Sequence, residues 1–80
     1  MSSSTEEYLE AIYNLTQNGQ PATTSAISKR LKIAPASTTE MLRKLADEEY
    51  VNYSPYRGVT LTPQGLNIGE RMTRKHRTVG

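Results

Sequence analysis

The chain has 80 residues, 35% of them hydrophobic and none Trp or Phe, so it forms one small domain with an aliphatic and tyrosine core. It has no cysteine and one histidine, which excludes disulfides, thiolate zinc sites, iron–sulfur clusters and any site that needs two imidazoles. The net charge of +2 conceals acidic blocks at 1–20 and 47–53 and basic blocks at 21–46 and 54–80. This alternation suits a domain that binds a polyanion on one face only.

The first helix is predicted from Ser4-Thr5-Glu6-Glu7, which has the pattern of a capping box. Asn18-Gly19 is a left-handed stop, so the helix is expected to run from about 5 to 17. Its apolar residues recur at helical spacing: Tyr8, Leu9, Ile12, Tyr13 and Leu15.

Two further helices joined by a short turn are predicted next. Thr24-Ser25 is expected to cap a short second helix that ends near Leu31. Pro35 disfavours helical backbone at Ala34 and suits a first helical turn, so it predicts the start of a third helix. One face of that helix is predicted to point inward, through Thr38, Met41, Leu42 and Leu45.

A change to period two after Tyr50 predicts a β-hairpin with its turn at 54–58. Thr62-Pro63 then predicts the cap and first residue of a fourth helix. The residues expected to align along that helix are Leu66, Gly69, Met72 and His76. The order α-α-α-β-β-α predicts a mainly α fold with a small β-hairpin, a winged helix-turn-helix over residues 1–80.

This arrangement favours DNA binding, because the major groove admits a helix and small side chains let the backbone approach closely. Ser37 and Thr39 suit base edges or phosphates, and Ala36 suits a thymine methyl group. Glu40 either accepts from a cytosine amino group or is tilted away from the DNA. The predicted DNA-binding residues are Lys29, Pro35, Ala36, Ser37, Thr39, Glu40, Arg43, Lys44, Tyr56 and Arg57.

Other interpretations of the same features remain open. The charge blocks also fit a mixed-sign surface that serves only solubility. A winged-helix module that binds a protein through the rim around Tyr53 and Tyr56 is the main alternative function. An enzyme is the weakest alternative, because the sequence pairs no nucleophile with a base. Without an apolar run of about 18 residues or a signal peptide, we expect a cytoplasmic protein that does not contact membranes.

Four ordered segments, about residues 4 to 77, resemble the DNA-binding domain of the diphtheria-toxin-repressor/manganese-transport-regulator family. They are 5–13 (TEEYLEAIY), 35–46 (PASTTEMLRKLA), 56–65 (YRGVTLTPQG) and 74–77 (RKHR). The resemblance implies a repressor of metal uptake genes that depends on Mn²⁺ or Fe²⁺ and binds palindromic double-stranded DNA as a homodimer. The family usually has valine at the position of Thr38, which predicts that the Thr38 hydroxyl bonds a helix carbonyl or that some packing is lost.

The resemblance also implies that Glu7, Glu10 and His76 are metal ligands. Carboxylates three residues apart share a helix face, and oxygen-rich ligation favours a hard ion such as Mn²⁺. Glu7 also has a purely structural interpretation as the capping-box carboxylate, and His76 as a helix C-terminal cation. Family members continue into a domain with further ligands and the dimer interface, which this chain lacks, so we expect only half a site and weak metal binding.

Overall fold

The predicted element order α-α-α-β-β-α is confirmed by a computed structural model of the chain, which describes residues 3–77 and the side chains of residues 5–74. The elements are α1 (Ser3–Leu15), α2 (Thr24–Leu31), α3 (Pro35–Asp47), β1 (Val51–Ser54), β2 (Gly58–Leu61) and α4 (Pro63–Arg77). Helix α1 packs against α2, β2 and α4, and α2 packs against α3. The core between them is formed by Tyr8, Leu9, Ile12, Ala22, Ile27, Leu42, Leu45, Val51 and Val59. Among residues 3–77, no helix is both long and apolar enough to cross a membrane.

The ends of α1 and α2 differ from the prediction by one or two residues. Helix α1 ends at Leu15, two residues before the predicted position, and the Thr16 hydroxyl donates to the Ile12 carbonyl over 2.8 Å. It begins at Ser3, so Ser4 lies within the helix and is not its N-cap. Helix α2 is capped by Thr23, not by Thr24, because the Thr23 hydroxyl accepts from the backbone N–H of Ala26 over 3.0 Å.

Helix α3 begins at Pro35, as predicted. The inward face is confirmed, with Thr38, Leu42 and Leu45 fully buried. The Thr38 hydroxyl donates to the Ala34 carbonyl over 3.2 Å, and the Thr38 backbone N–H donates to the same oxygen over 3.0 Å. The hydroxyl that replaces the family's usual valine is therefore satisfied within the first turn of α3.

The hairpin of β1 and β2 is antiparallel, with Val51 opposite Leu61 and Ser54 opposite Gly58. One residue of the connection between α1 and α2, Ala22, pairs with β2 and so extends the hairpin. Ala22 donates to the Val59 carbonyl over 2.9 Å and accepts from the Val59 N–H over 2.8 Å. The base of the hairpin is thereby fixed to the segment that leads into α2.

The Thr62 hydroxyl caps α4 as predicted, since it accepts from the Gly65 N–H over 3.1 Å. Leu66, one of the residues predicted to align along α4, is 47% exposed. The residues that face the body of the molecule are instead Gly65 and Gly69, which are buried, and Ile68, which packs against the core. Helix α4 lies close to β2 and α1 because these two glycines present no side chain.

Candidate nucleic-acid interface

Helix α3 divides into a buried face and an exposed face. Pro35, Ala36, Ser37, Glu40, Arg43 and Lys44 are all exposed, and Thr39 is half-buried. Because Thr38, Leu42 and Leu45 anchor the opposite face in the core, the exposed face is held in a fixed orientation. The side chains predicted to meet DNA on α3 therefore lie on one accessible surface, with Thr39 at its edge.

The N-terminal turn of α3 is the slimmest part of this surface. Ala34 takes the N-cap position in an extended conformation, and no side chain in the described part of the chain caps this end. Ala36 and Ser37 follow, and both have small side chains: a methyl group in Ala36 and a hydroxymethyl group in Ser37. Uncapped backbone N–H groups at the positive end of a helix favour an anion, and small side chains permit close approach.

Charge changes sign along α3. Arg43 and Lys44 are exposed in its second half, whereas Asp47 at its end is followed by exposed Glu48 and Glu49. The acidic end would repel phosphates, so a polyanion can approach only the N-terminal and middle parts of the helix. Lys29 is exposed in the last turn of α2 and adds to the basic side.

The hairpin carries the second predicted contact surface. Its tip consists of exposed residues, and Tyr56 is 96% exposed. The Ser54 hydroxyl accepts from the backbone N–H groups of Tyr56 and Arg57, each over 3.4 Å, which holds the tip as a compact turn. A fully exposed tyrosine beside an arginine is typical of a surface that contacts a partner rather than the core.

Two of the predicted metal ligands, Glu7 and Glu10, lie on α1. Glu7 is exposed and Glu10 is half-buried, and both line an open recess together with Arg30 and Leu31 of α2. The side chain of His76 lies outside the described residues. Among the described side chains, no group of three or more His, Cys, Asp or Glu residues is placed to hold a metal ion. The two carboxylates fit a hard cation by chemistry, but Arg30 brings a positive charge into the same recess.

The sequence matches a known protein family over most of its length. Residues 1–59 fit the sequence profile described as the iron dependent repressor, N-terminal DNA binding domain. The chain belongs to this iron dependent repressor family. The transcriptional regulator MntR of Oceanobacillus iheyensis is 44% identical over 73 residues, which are 91% of this chain and 50% of that protein. An HTH-type transcriptional regulator of Methanocaldococcus jannaschii is 42% identical over 80 residues, which are 99% of this chain and 64% of that protein.

Solved structures agree with the repressor family fold. A hypothetical protein of Sulfolobus solfataricus superposes with a TM-score of 0.81 at 30% identity, over 96% of this chain and 59% of that one. ScaR with bound Zn²⁺ superposes with a TM-score of 0.73 at 33% identity, over 91% of this chain and 34% of that one. The chain thus spans about half to two thirds of the curated relatives' length. Its relatives are transcriptional regulators and not enzymes, and the matching profile is that of an iron dependent repressor, which confirms the resemblance inferred from the sequence.

Two parts of the site were not predicted from the sequence. Ala22 fixes the hairpin base through a pair of hydrogen bonds, and an isolated alanine after a proline carries no pattern that signals strand pairing. Arg30 shares a recess with Glu7 and Glu10. Residues three apart are neighbours on a helix surface, so Arg30 borders the Ile27 face of α2, but this spacing does not tell which helix it meets.

Proposed function

We propose that this chain is the DNA-binding part of a metal-dependent repressor and that it binds double-stranded DNA with α3 in the major groove. The observation that carries the proposal is the division of α3, with Thr38, Leu42 and Leu45 fully buried and Ala36 and Ser37 exposed on the slim N-terminal turn. Only a helix so oriented brings its backbone near base edges. A DNA-binding repressor acts at the chromosome, so the proposal also puts the protein in the cytoplasm. Its relatives come from a bacterium and an archaeon.

Each exposed residue of α3 has a distinct role in this proposal. Ser37 and Thr39 bond base edges, while Pro35 and Ala36 supply close apolar contacts such as those with a thymine methyl group. Lys29, Arg43 and Lys44 contact phosphates along the groove walls and fix the register of the helix. Glu40 accepts from a cytosine amino group, the base-edge contact that a carboxylate favours.

The hairpin is the wing of the fold in this proposal. Arg57 contacts the phosphate backbone or enters the neighbouring minor groove, and the ring of Tyr56 lies against the sugar–phosphate chain. The support for this role is the exposure of both side chains at a tip held by Ser54.

A homodimer and a palindromic operator complete the proposal. One chain offers one recognition helix, and two-fold sites present half-sites about 34 Å apart, one turn of DNA. A dimer whose contacts lie outside this chain would supply that spacing, in agreement with its coverage of about half of the MntR relatives. A further domain in the complete repressor would hold the dimer together.

Glu7, Glu10 and His76 are proposed to hold the regulatory metal, Mn²⁺ or Fe²⁺, together with ligands that this chain does not supply. When bound, the ion would neutralise the two carboxylates and join α1 to its other ligands. Within this chain, Glu7 and Glu10 supply oxygen donors from one helix face, and Arg30 opposes the ion from α2.

The chain by itself is therefore expected to bind Mn²⁺ more weakly than micromolar. Three protein ligands leave an octahedral shell incomplete, and the nearby Arg30 guanidinium disfavours a cation. Isothermal titration of the chain with MnCl₂ measures this affinity, and Glu10→Gln provides the matched control for any heat observed. Micromolar or tighter binding that Glu10→Gln abolishes would show that the chain holds a complete site.

Replacing Arg57 with alanine is expected to weaken binding to every duplex by roughly three- to tenfold and to lower the slope of log K against log salt by about 0.9. The physical reason is the loss of one phosphate contact that does not depend on base sequence. Fluorescence anisotropy with labelled duplexes over a series of salt concentrations measures both quantities.

Ser37→Ala is the contrasting variant, because it removes a base contact and leaves the charge unchanged. It should alter the sequences selected from a randomised duplex pool while the salt slope stays the same. If neither substitution changes DNA binding, α3 and the wing do not contact DNA as proposed. Binding of a protein partner that is insensitive to salt, without any DNA complex, would instead favour the interaction module around Tyr53 and Tyr56.

A further inference from the structure

Within residues 3–77, two residues that are not glycine adopt the left-handed backbone conformation, Lys32 with φ of 58° and Glu49 with φ of 66°. Each follows a helix and completes the same motif. After α2, Lys32 N–H donates to Lys29 over 3.3 Å, and Ile33 N–H donates to Ser28 over 3.0 Å. These two hydrogen bonds, one nested inside the other, are the Schellman motif, in which glycine is the usual left-handed residue.

The end of α3 repeats this pattern. Glu49 N–H donates to the Ala46 carbonyl over 3.0 Å, and Tyr50 N–H donates to the Leu45 carbonyl over 2.9 Å. A side chain in the left-handed region crowds the neighbouring carbonyl, so both positions are strained relative to glycine. The two sites are thus matched in backbone geometry and opposite in charge.

The two sites differ in where they lie along the recognition helix. Lys32 is exposed in the turn before α3, three residues from Pro35 and beside the exposed N-terminal turn. Glu49 follows the other end of this 13-residue helix, about 20 Å away at a rise of 1.5 Å per residue. Lys32 therefore belongs to the turn that leads into Ala36 and Ser37, whereas Glu49 follows the opposite end of α3.

We propose that the Lys32 ammonium group binds a DNA phosphate beside the N-terminus of α3. The inference rests on the proposed DNA-binding function and adds a contact to it. The support is the exposure and positive charge of Lys32 in the turn that leads into α3, three residues after the basic residue Lys29. A flexible ammonium group on a long side chain suits a phosphate, which needs charge more than fixed geometry.

The test compares stability and DNA binding in Lys32→Gly. Glycine relieves the backbone strain, so the melting temperature should rise by about 3–5 °C. The lost phosphate contact should weaken binding roughly three- to tenfold and lower the salt slope by about 0.9. The probe is a fluorescein-labelled duplex of mixed sequence, about two helical turns long, titrated by anisotropy from low salt upward. Lys32→Arg retains the charge and should bind within about twofold of the unmodified chain.

Glu49→Gly is the matched control. It relieves the same backbone strain and should give a similar rise in melting temperature. Its DNA affinity should equal that of the unmodified chain or slightly exceed it, because it removes an acidic charge far from the phosphates. The expected result is that Lys32→Gly raises the melting temperature and weakens DNA binding, whereas Glu49→Gly raises the melting temperature without weakening DNA binding.

Unchanged affinity and salt slope in Lys32→Gly would overturn the inference while leaving the proposed function intact. Equal weakening by Lys32→Gly and Glu49→Gly would also overturn it, because the loss would then arise from the backbone change and not from a phosphate contact. If the unmodified chain binds no duplex even at low salt, the proposed function fails, and this inference fails with it.

Discussion

Replacing Gly65 with alanine is expected to remove a large part of the chain's stability. Gly65 is buried at the start of α4, and an added Cβ would overlap the Tyr50 carbonyl oxygen and lie 3.3 Å from Leu61 Cδ2. The obstacle is backbone, so the conflict cannot be relieved by turning a side chain. Forcing α4 outward should cost about 3–4 kcal/mol, against a total of roughly 4–12 kcal/mol for a domain of this size.

Gly19→Ala is the control for this prediction. Gly19 has φ of +82°, and an added Cβ there would meet nothing within 4 Å. The cost is then the left-handed backbone alone, about 1 kcal/mol. Urea denaturation followed by circular dichroism measures both free energies of unfolding. Equal stabilities for the two variants would mean that α4 does not approach Tyr50 as closely as described.

The same glycine shows where sequence reasoning reaches its limit. Helical spacing on α4 predicted an alignment of Leu66, Gly69, Met72 and His76 and gave no role to Gly65. The structure places Gly65 and Gly69 inward and leaves Leu66 47% exposed. Close approach to a neighbouring backbone selects residues without side chains, and a hydrophobicity pattern gives such residues no weight. The contact partner is distant in sequence, so only the fold reveals it.

The start of a helix could be predicted where only one residue was a candidate for its N-cap. Thr62 before Pro63 is an unambiguous cap and was predicted correctly. The segment 23–25 offers three consecutive hydroxyl side chains, Thr23, Thr24 and Ser25, any of which can cap a helix. The pairing of Ala22 with Val59 fixes the chain just before them, so Thr23 takes the role. A local pattern cannot rank such candidates when a distant contact decides between them.

The surface of α3 was predictable for a different reason. A period of 3.6 residues assigns Thr38, Leu42 and Leu45 to one face, and the exposed residues follow by elimination. The strained backbone at Lys32 was not predictable, because propensity favours glycine there and the sequence contains lysine. Glu49 breaks the same preference for glycine at the end of α3.

Replacing Gly58 with alanine is expected to damage both the fold and DNA binding. Gly58 has φ of 111°, a conformation that only glycine adopts readily. An added Cβ would lie 2.5 Å from the Ala22 carbonyl oxygen, which accepts the hydrogen bond from Val59. The substitution therefore strains the wing and breaks its attachment to the segment before α2. The expected loss of stability is about 2–4 kcal/mol.

The effect on DNA binding separates a displaced wing from simple unfolding. At a temperature low enough to keep Gly58→Ala folded by circular dichroism, its affinity should fall at least as far as that of Arg57→Ala, because Tyr56 and Arg57 are both displaced. Thr60→Ala, at an exposed position on the same strand, is the control and should leave both properties nearly unchanged. Normal DNA affinity in the folded Gly58→Ala protein would show that the wing needs no attachment to Ala22. The recognition helix and the wing would then contact DNA as independent units, whereas the paired hydrogen bonds at Val59 predict one rigid surface.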